Sequence, residues 1–266
     1  MPHDSKRKIK ILVLAANSDG QTRLELGREF KKISNAIRAG RYRAAFQLLE
    51  PQFDVGIGSL SAALLRDRPH VVHFCGHGSA SQGLVFVGED GYSQVAGKRE
   101  LITLFRELRL QPRLIFLNAC HTKDQAKLLS RMFDYTIGTN GLIEDRHAAN
   151  FAGWFYRTLA EGATVKGAFQ SARAEVGEYA VGMSELSPRR GVVDSQPFIL
   201  QVLGSSNGKR KADEKSVAAK RSHTNTNNLA NGDWIKTNVT LQDYASMRDL
   251  NIHGSGSKPK DPNPKN

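Results

Sequence analysis

Two residues of this chain are of the types that together open a peptide bond. His77 ends the run VVHFCGHG at 71–78, and Cys120 ends the run LIFLNACHT at 114–122. Each run is apolar, strand-like and stops abruptly at a reactive group. Open parallel sheets build sites at the carboxyl ends of their strands. A thiol needs a base to take its proton and donors to hold the developing oxyanion. Taken alone, Cys120 reads as one more buried thiol. Its pairing with the HGS run at 77–79 favours a nucleophile. The helix expected to start just after Cys120 would favour negative charge near its amino end.

Those two strand ends need a sheet to bring them together. The run KIKILVLAA at 8–16 predicts a first strand, followed by a helix over 22–39 with Leu24, Leu26, Phe30, Ile33 and Ile37 at helical spacing. A second strand is expected at 46–55, placed at an edge by Pro51, then a helix at 59–68 capped by Ser59. The run at 71–77 is the third strand. Residues 83–96 read as a hairpin turning at Glu89-Asp90-Gly91. A helix at 98–108, a fourth strand ending in Cys120, a helix at 123–132 and a fifth strand at 135–140 follow. Helices are expected at 145–161 and 164–180, and PFILQVLG at 197–204 as a sixth strand. The stripe Phe151, Trp154, Phe155 and Leu159 is assigned to the core. This alternation predicts an α/β fold with a mainly parallel six-stranded sheet covered by helices on both faces.

Composition bounds the rest. The chain has 266 residues, of which 39% are hydrophobic, enough for a substantial core. No apolar run approaches the roughly 20 residues of a membrane helix. The charged first ten residues lack a secretion signal, so a cytoplasmic location is expected and no membrane partner. Cys75 and Cys120 are the two cysteines, too few for a disulfide scaffold. The net charge of +12 comes from scattered Lys and Arg with no nucleic-acid motif, so a solvated basic surface is favoured over direct nucleic-acid binding. No GxxxxGK[ST] phosphate loop is present. At Ser205 the composition turns polar. The expected organisation is a globular domain at 1–204, a flexible basic linker at 205–233, and a short apolar segment with a solvated tail at 234–266. Arg210, Lys211, Lys220 and Arg221 in that linker are candidate cleavage points.

HVVHFCGHG at 70–78, GLVFVGEDG at 83–91, LIFLNACHT at 114–122 and GLIEDRHAANFAGWFYRTLAEGATVKGAF at 141–169 occur in the order found in CHAT domains. Over roughly residues 8 to 204 the chain resembles this bacterial branch of the caspase-like cysteine peptidases. The resemblance implies a caspase-like three-layer sandwich and a cysteine endopeptidase acting on a protein substrate. It implies Cys120 as nucleophile, His77 as the proton-carrying partner, and the amides of Gly78 and Cys120 as the oxyanion hole. Relatives read the side chain before the scissile bond from the ends of the first, fourth and fifth strands. Here those ends offer Asp19, Asn118, Glu144 and Asp145, a set that predicts cleavage after Arg or Lys. Arg23 and Arg146 nearby would instead favour an acidic residue, and Asp145 also reads as a helix cap.

His73, Cys75 and His77 alternate along one strand, so with Cys120 or His121 a zinc set can be drawn. The family usually has histidine where His73 stands, which favours a buried, hydrogen-bonded supporting role. No metal and no cofactor are expected. CHAT peptidases often serve bacterial defence or regulated cell death under a sensor. An activating sensor or regulatory protein is therefore an expected partner. The competing reading is a catalytically silent caspase-like module that binds a protein.

Overall fold

Alternate residues of the central strands face opposite apolar layers, which is why their sequences are apolar throughout rather than every second residue. In the computed structural model the described residues are 7–17, 26–79, 83–110, 112–177 and 184–204. The main sheet contains β1 (Ile9–Ala16), β2 (Phe46–Leu48), β3 (Val71–Gly76), β7 (Leu114–Asn118), β8 (Tyr135–Thr139) and β9 (Ser184–Pro188). Their order is β2-β1-β3-β7-β8-β9, parallel except for antiparallel β9. A second sheet of β4 (Gly78–Ser79), β5 (Gly83–Val87) and β6 (Ser93–Ala96) is antiparallel and follows β3 directly. The mainly parallel six-stranded sheet and its helical layers agree with the caspase-like expectation.

One core lies between the sheet and helices α1 (Leu26–Ala39), α5 (Asp145–Ala160), α6 (Val165–Val176) and α7 (Phe198–Leu203). It takes Ile9, Ile11, Val13 and Ala15 of β1, with Phe116 of β7. The other lies under α2 (Ile57–Asp67), α3 (Lys98–Glu107) and α4 (Lys123–Leu129), and takes Leu12 and Leu14 together with Leu84 and Phe86 of the hairpin. Phe116 is the hub of the first core. Its ring meets Phe151 at 5.9 Å and Phe155 at 5.5 Å, both edge-on. Trp154, assigned to the same stripe, is 44% exposed, because the stripe buries Phe151, Phe155 and Leu159 and turns the intervening position outward.

Three expectations need correction. Residues 198–203 form helix α7, not the sixth strand. Six apolar residues are too few to separate the two periods, and Pro197 suits a helix start because its missing N–H is not needed there. The sixth strand is β9, whose polar SELSP needs no apolar pattern at a sheet edge. Its register is held at one end by Asp134, whose carboxylate lies 2.5 Å from Arg113 Nε and 2.6 Å from Arg189 Nη2. Strand β2 is shorter than expected. The chain leaves the ladder near Pro51 and touches β1 again at Gln52, which bridges Leu14. Helix α2 starts at Ile57 with Gly56 as its cap, so Ser59 is the third helical residue. The Ser59 hydroxyl reaches back to accept from Gly56 N–H at 3.0 Å.

The linker and tail expected after residue 204 lie outside the described residues, as do Asp19 and Arg23. Among the described residues no helix is long and apolar enough to cross a membrane.

Candidate active site

Strands β3 and β7 are neighbours, and their ladder runs from Val71 opposite Leu114 to Cys75 opposite Asn118. Beyond that last pair the two chains part company. One continues through Gly76 and His77 into β4, the other through Ala119 into Cys120 and α4. Both dyad candidates therefore emerge from adjacent strands at the same sheet end.

Gly78 and Cys120 approach most closely. A Cβ added at Gly78 would overlap the carbonyl oxygen of Cys120 and stand 3.0 Å from its carbonyl carbon and 3.1 Å from its nitrogen. Only glycine allows this approach. His77 and Cys120 are both partly exposed. The His77 carbonyl accepts from Val85 N–H at 3.1 Å, which ties the residue to the hairpin.

The turn carrying Cys120 is held from both sides. His121 has φ of 56°, a left-handed conformation that bends the chain sharply after the cysteine. Its N–H donates to Gly141 O at 3.1 Å. Thr122 is buried and its hydroxyl donates back to Leu117 O at 3.0 Å and Ala119 O at 2.9 Å. The same oxygen accepts Thr139 N–H at 3.0 Å, joining the turn to β8. The Cys120 sulfur faces the loop before α5, where Ile143 N–H points at it from 3.5 Å. Helix α4 begins at Lys123, three residues on, and has seven residues.

Beneath these ends lies a polar cluster in the first core. Glu29 of α1 is 6% exposed and His73 fully buried. His73 Nε2 is 2.7 Å from Glu29 Oε1, and the Tyr156 hydroxyl is 3.2 Å from His73 Nδ1. A carboxylate only accepts, so His73 Nε2 donates to Glu29, and Nδ1 faces the Tyr156 hydroxyl. Burial, then the Glu29 charge, pushes the Tyr156 phenol well up, which keeps that hydroxyl protonated. Burial, then Glu29, likewise pushes the Cys75 thiol well up. Its sulfur donates to Leu14 O at 3.6 Å, so Cys75 is an inert core thiol.

The metal alternative drawn from alternation does not assemble as expected. The ligand atoms that gather are those of Glu29, His73 and Cys75, all within 4.8 Å of one another, and His77 is not among them. Glu29 and His73 are already hydrogen-bonded to each other.

The expected substrate residues separate. Asn118 is buried rather than presented at the surface. Its Nδ2 donates to Glu29 Oε1 at 2.5 Å and to Ala148 O at 3.1 Å. Glu144 caps α5 through its carbonyl, with no side-chain cap bond, and its side chain is 73% exposed with His147 Nδ1 at 3.5 Å. Asp145, the first residue of α5, is exposed. Both acids follow directly on the loop that touches Cys120.

Sequence reasoning passed over Glu29 and Thr122. The signal for Glu29 was present: an acid three residues after Leu26 and four before Ile33 falls inside the apolar stripe of α1.

A family model described as the CHAT domain matches residues 3–180, about two thirds of the chain. A Roc-COR-CHAT protease of an unknown prokaryotic organism is 23% identical over 173 residues, covering 63% of this chain. The chain spans 16% of that relative's length. Among solved structures, the Arg specific cysteine proteinase gingipain R is similar with a TM-score of 0.51 at 14% identity, over 73% of this chain and 49% of that one. A secreted C11 cysteine protease from Bacteroides thetaiotaomicron is similar at a TM-score of 0.40 and 13% identity, over 65% of this chain and 57% of that one.

Proposed function

Because this chain belongs to the CHAT domain family, we propose that it is a cysteine endopeptidase with Cys120 as nucleophile and His77 as its proton partner. The observation that carries the reading is the packing of Gly78 against the Cys120 peptide, which sets the two strand ends side by side. The Cys120 sulfur attacks the scissile carbonyl, and its proton passes to His77. The amides of Gly78 and Cys120 hold the oxyanion. His77 protonates the leaving amine as the C–N bond breaks, which leaves a thioester. Water, deprotonated by His77, then hydrolyses the thioester and restores the thiol.

The substrate is a protein, cut after Arg or Lys. Exposed Glu144 and Asp145, next to the loop over Cys120, support this preference through a charge-assisted pair with a basic side chain. Asp19, expected from the sequence to join this acidic set, lies outside the described residues. A sensor-controlled role in defence or cell death rests on the family resemblance.

Incubation with a diverse peptide library, followed by mass spectrometry of the cuts, tests activity and preference together. Cuts after Arg or Lys support the reading. Cuts after Asp would overturn the preference, and no cuts, with no labelling by a thiol-directed peptide probe, would favour the silent binding module.

A further inference from the structure

We propose that Glu29 is a positioning residue: through Asn118 it anchors the turn that carries Cys120, and through His73 it ties that anchor to the strand that carries His77. The inference deepens the peptidase reading above and rests on it.

The argument begins where the β3–β7 ladder ends, at Cys75 opposite Asn118. Past that pair, among the described residues, no strand pairing holds the nucleophile segment. Two side chains take over, one on each side of Cys120. Thr122 follows it and binds back to β7 and β8. Asn118 precedes it by two residues, and its amide donates to Glu29 Oε1 at 2.5 Å and to Ala148 O at 3.1 Å. The same carboxylate oxygen receives His73 Nε2 at 2.7 Å. One atom on α1 therefore joins β3 and β7, and Asn118 carries the link on to Ala148 in the first turn of α5.

A carboxylate at 6% exposure is costly unless donors surround it. An apolar residue would fill the space more cheaply, as the rest of the α1 stripe does with Phe30, Ile33 and Ile37. What the carboxylate adds is direction. It can accept from two strands at once, which a leucine cannot. The amide of Asn118 is thereby locked in orientation, because its Nδ2 has two acceptors, and with it the exit angle of the chain into Cys120. On the other side Tyr156 closes the His73 ring against rotation at 3.2 Å. A metal held by Glu29, His73 and Cys75 would compete for the His73 nitrogens, which face Glu29 and Tyr156, so a metal is the competing reading of this cluster.

Glu29→Leu and Glu29→Gln in the full chain separate the possibilities. Gln keeps an acceptor oxygen at the same reach; Leu keeps only volume. Each is measured for thermal melting, for kcat and KM on a peptide cut by the wild type, and for the rate of Cys120 alkylation by iodoacetamide in a Cys75→Ser background. Glu29→Leu should fold, lower kcat about 10–100-fold with KM within threefold, and change the alkylation rate at least threefold. Glu29→Gln should stay within about threefold of wild type in all three. Should Glu29→Leu fail to fold, Asn118→Leu serves in its place with the same expectation, since it removes the anchor and leaves the Glu29–His73 pair. A folded Glu29→Leu or Asn118→Leu with wild-type kcat and alkylation rate overturns the proposal. So does equal loss in Glu29→Gln and Glu29→Leu, or stoichiometric zinc retained by wild type and lost in Glu29→Leu. If the wild type cuts no peptide, the peptidase reading fails, while the alkylation rates still decide whether Glu29 positions Cys120.

Discussion

Gly78 lies so close to Cys120 that a single methyl group at Gly78 would overlap the cysteine's carbonyl oxygen. The partner is backbone and cannot swing aside, so the strand ends must separate to admit a side chain. Gly78→Ala should therefore lower kcat at least 100-fold by moving His77 away from Cys120. The chain should still melt cooperatively, because the change lies outside both cores. Peptide hydrolysis and a thermal melt on the same sample check this, and wild-type turnover in Gly78→Ala would show that the approach is unimportant.

Thiol chemistry should distinguish the two cysteines. Cys75 is buried, donates to Leu14 O and has its thiol pushed up by burial, whereas Cys120 is partly exposed. Iodoacetamide on the native protein should label Cys120 alone, as read by peptide mapping. Cys75→Ser should retain peptidase activity. Loss of activity in that variant would return attention to the cluster of Glu29, His73 and Cys75.

Substrate preference should follow the acids at the start of α5. Asp145→Ala should weaken cutting after Arg more than Glu144→Ala, in keeping with the family pattern. Glu144 is solvated and paired with His147, so its removal costs little. Comparing kcat/KM on matched Arg and Asp peptides decides this. A larger effect at Glu144 would place the pocket on the outer side of the helix cap.

Asp194 should contribute to acid sensitivity. Burial raises its carboxyl, but hydrogen bonds from Tyr135, the Lys166 amide, Thr164 and Gln201 outweigh this and hold it below the ordinary carboxylate value. The unfolded chain then takes up the proton first as pH falls. The stabilisation is fully present above roughly pH 4 and is lost as pH falls through the lower folded value. Urea midpoints of wild type and Asp194→Asn should differ at pH 7 and converge toward pH 3. A constant gap across that range would show that the ionised form has no special role.

The hydrophobic core should respond most at its hub. Phe116 is buried against His73, Phe151, Phe155 and Tyr156. Phe116→Ala should cost about 3–5 kcal/mol by leaving a cavity. Equilibrium urea unfolding reads the difference, and a loss below about 1 kcal/mol would mean that the ring is not central.

The central strands and most helices were legible in the sequence because each buries a continuous apolar run or a clear stripe. What escaped has physical causes. Strand β9 is an edge of polar residues, and α7 is too short for its period to speak. The dyad candidates were visible as strand ends. The Glu29–Asn118 bond was not, because residues 89 positions apart meet only once the fold is known. Asn118 looked like a pocket residue from its place two before Cys120, and its burial against α1 and α5 is a property of the packed layers.

The most direct test of the account is a mutant cycle on one peptide cut by the wild type, comparing Cys120→Ala, His77→Ala and the double variant. The account predicts that each single change abolishes cleavage while far-ultraviolet circular dichroism is preserved, and that the double variant is no worse than either, since the two groups act as one unit. Near-normal cleavage by Cys120→Ala would contradict the thiol mechanism outright.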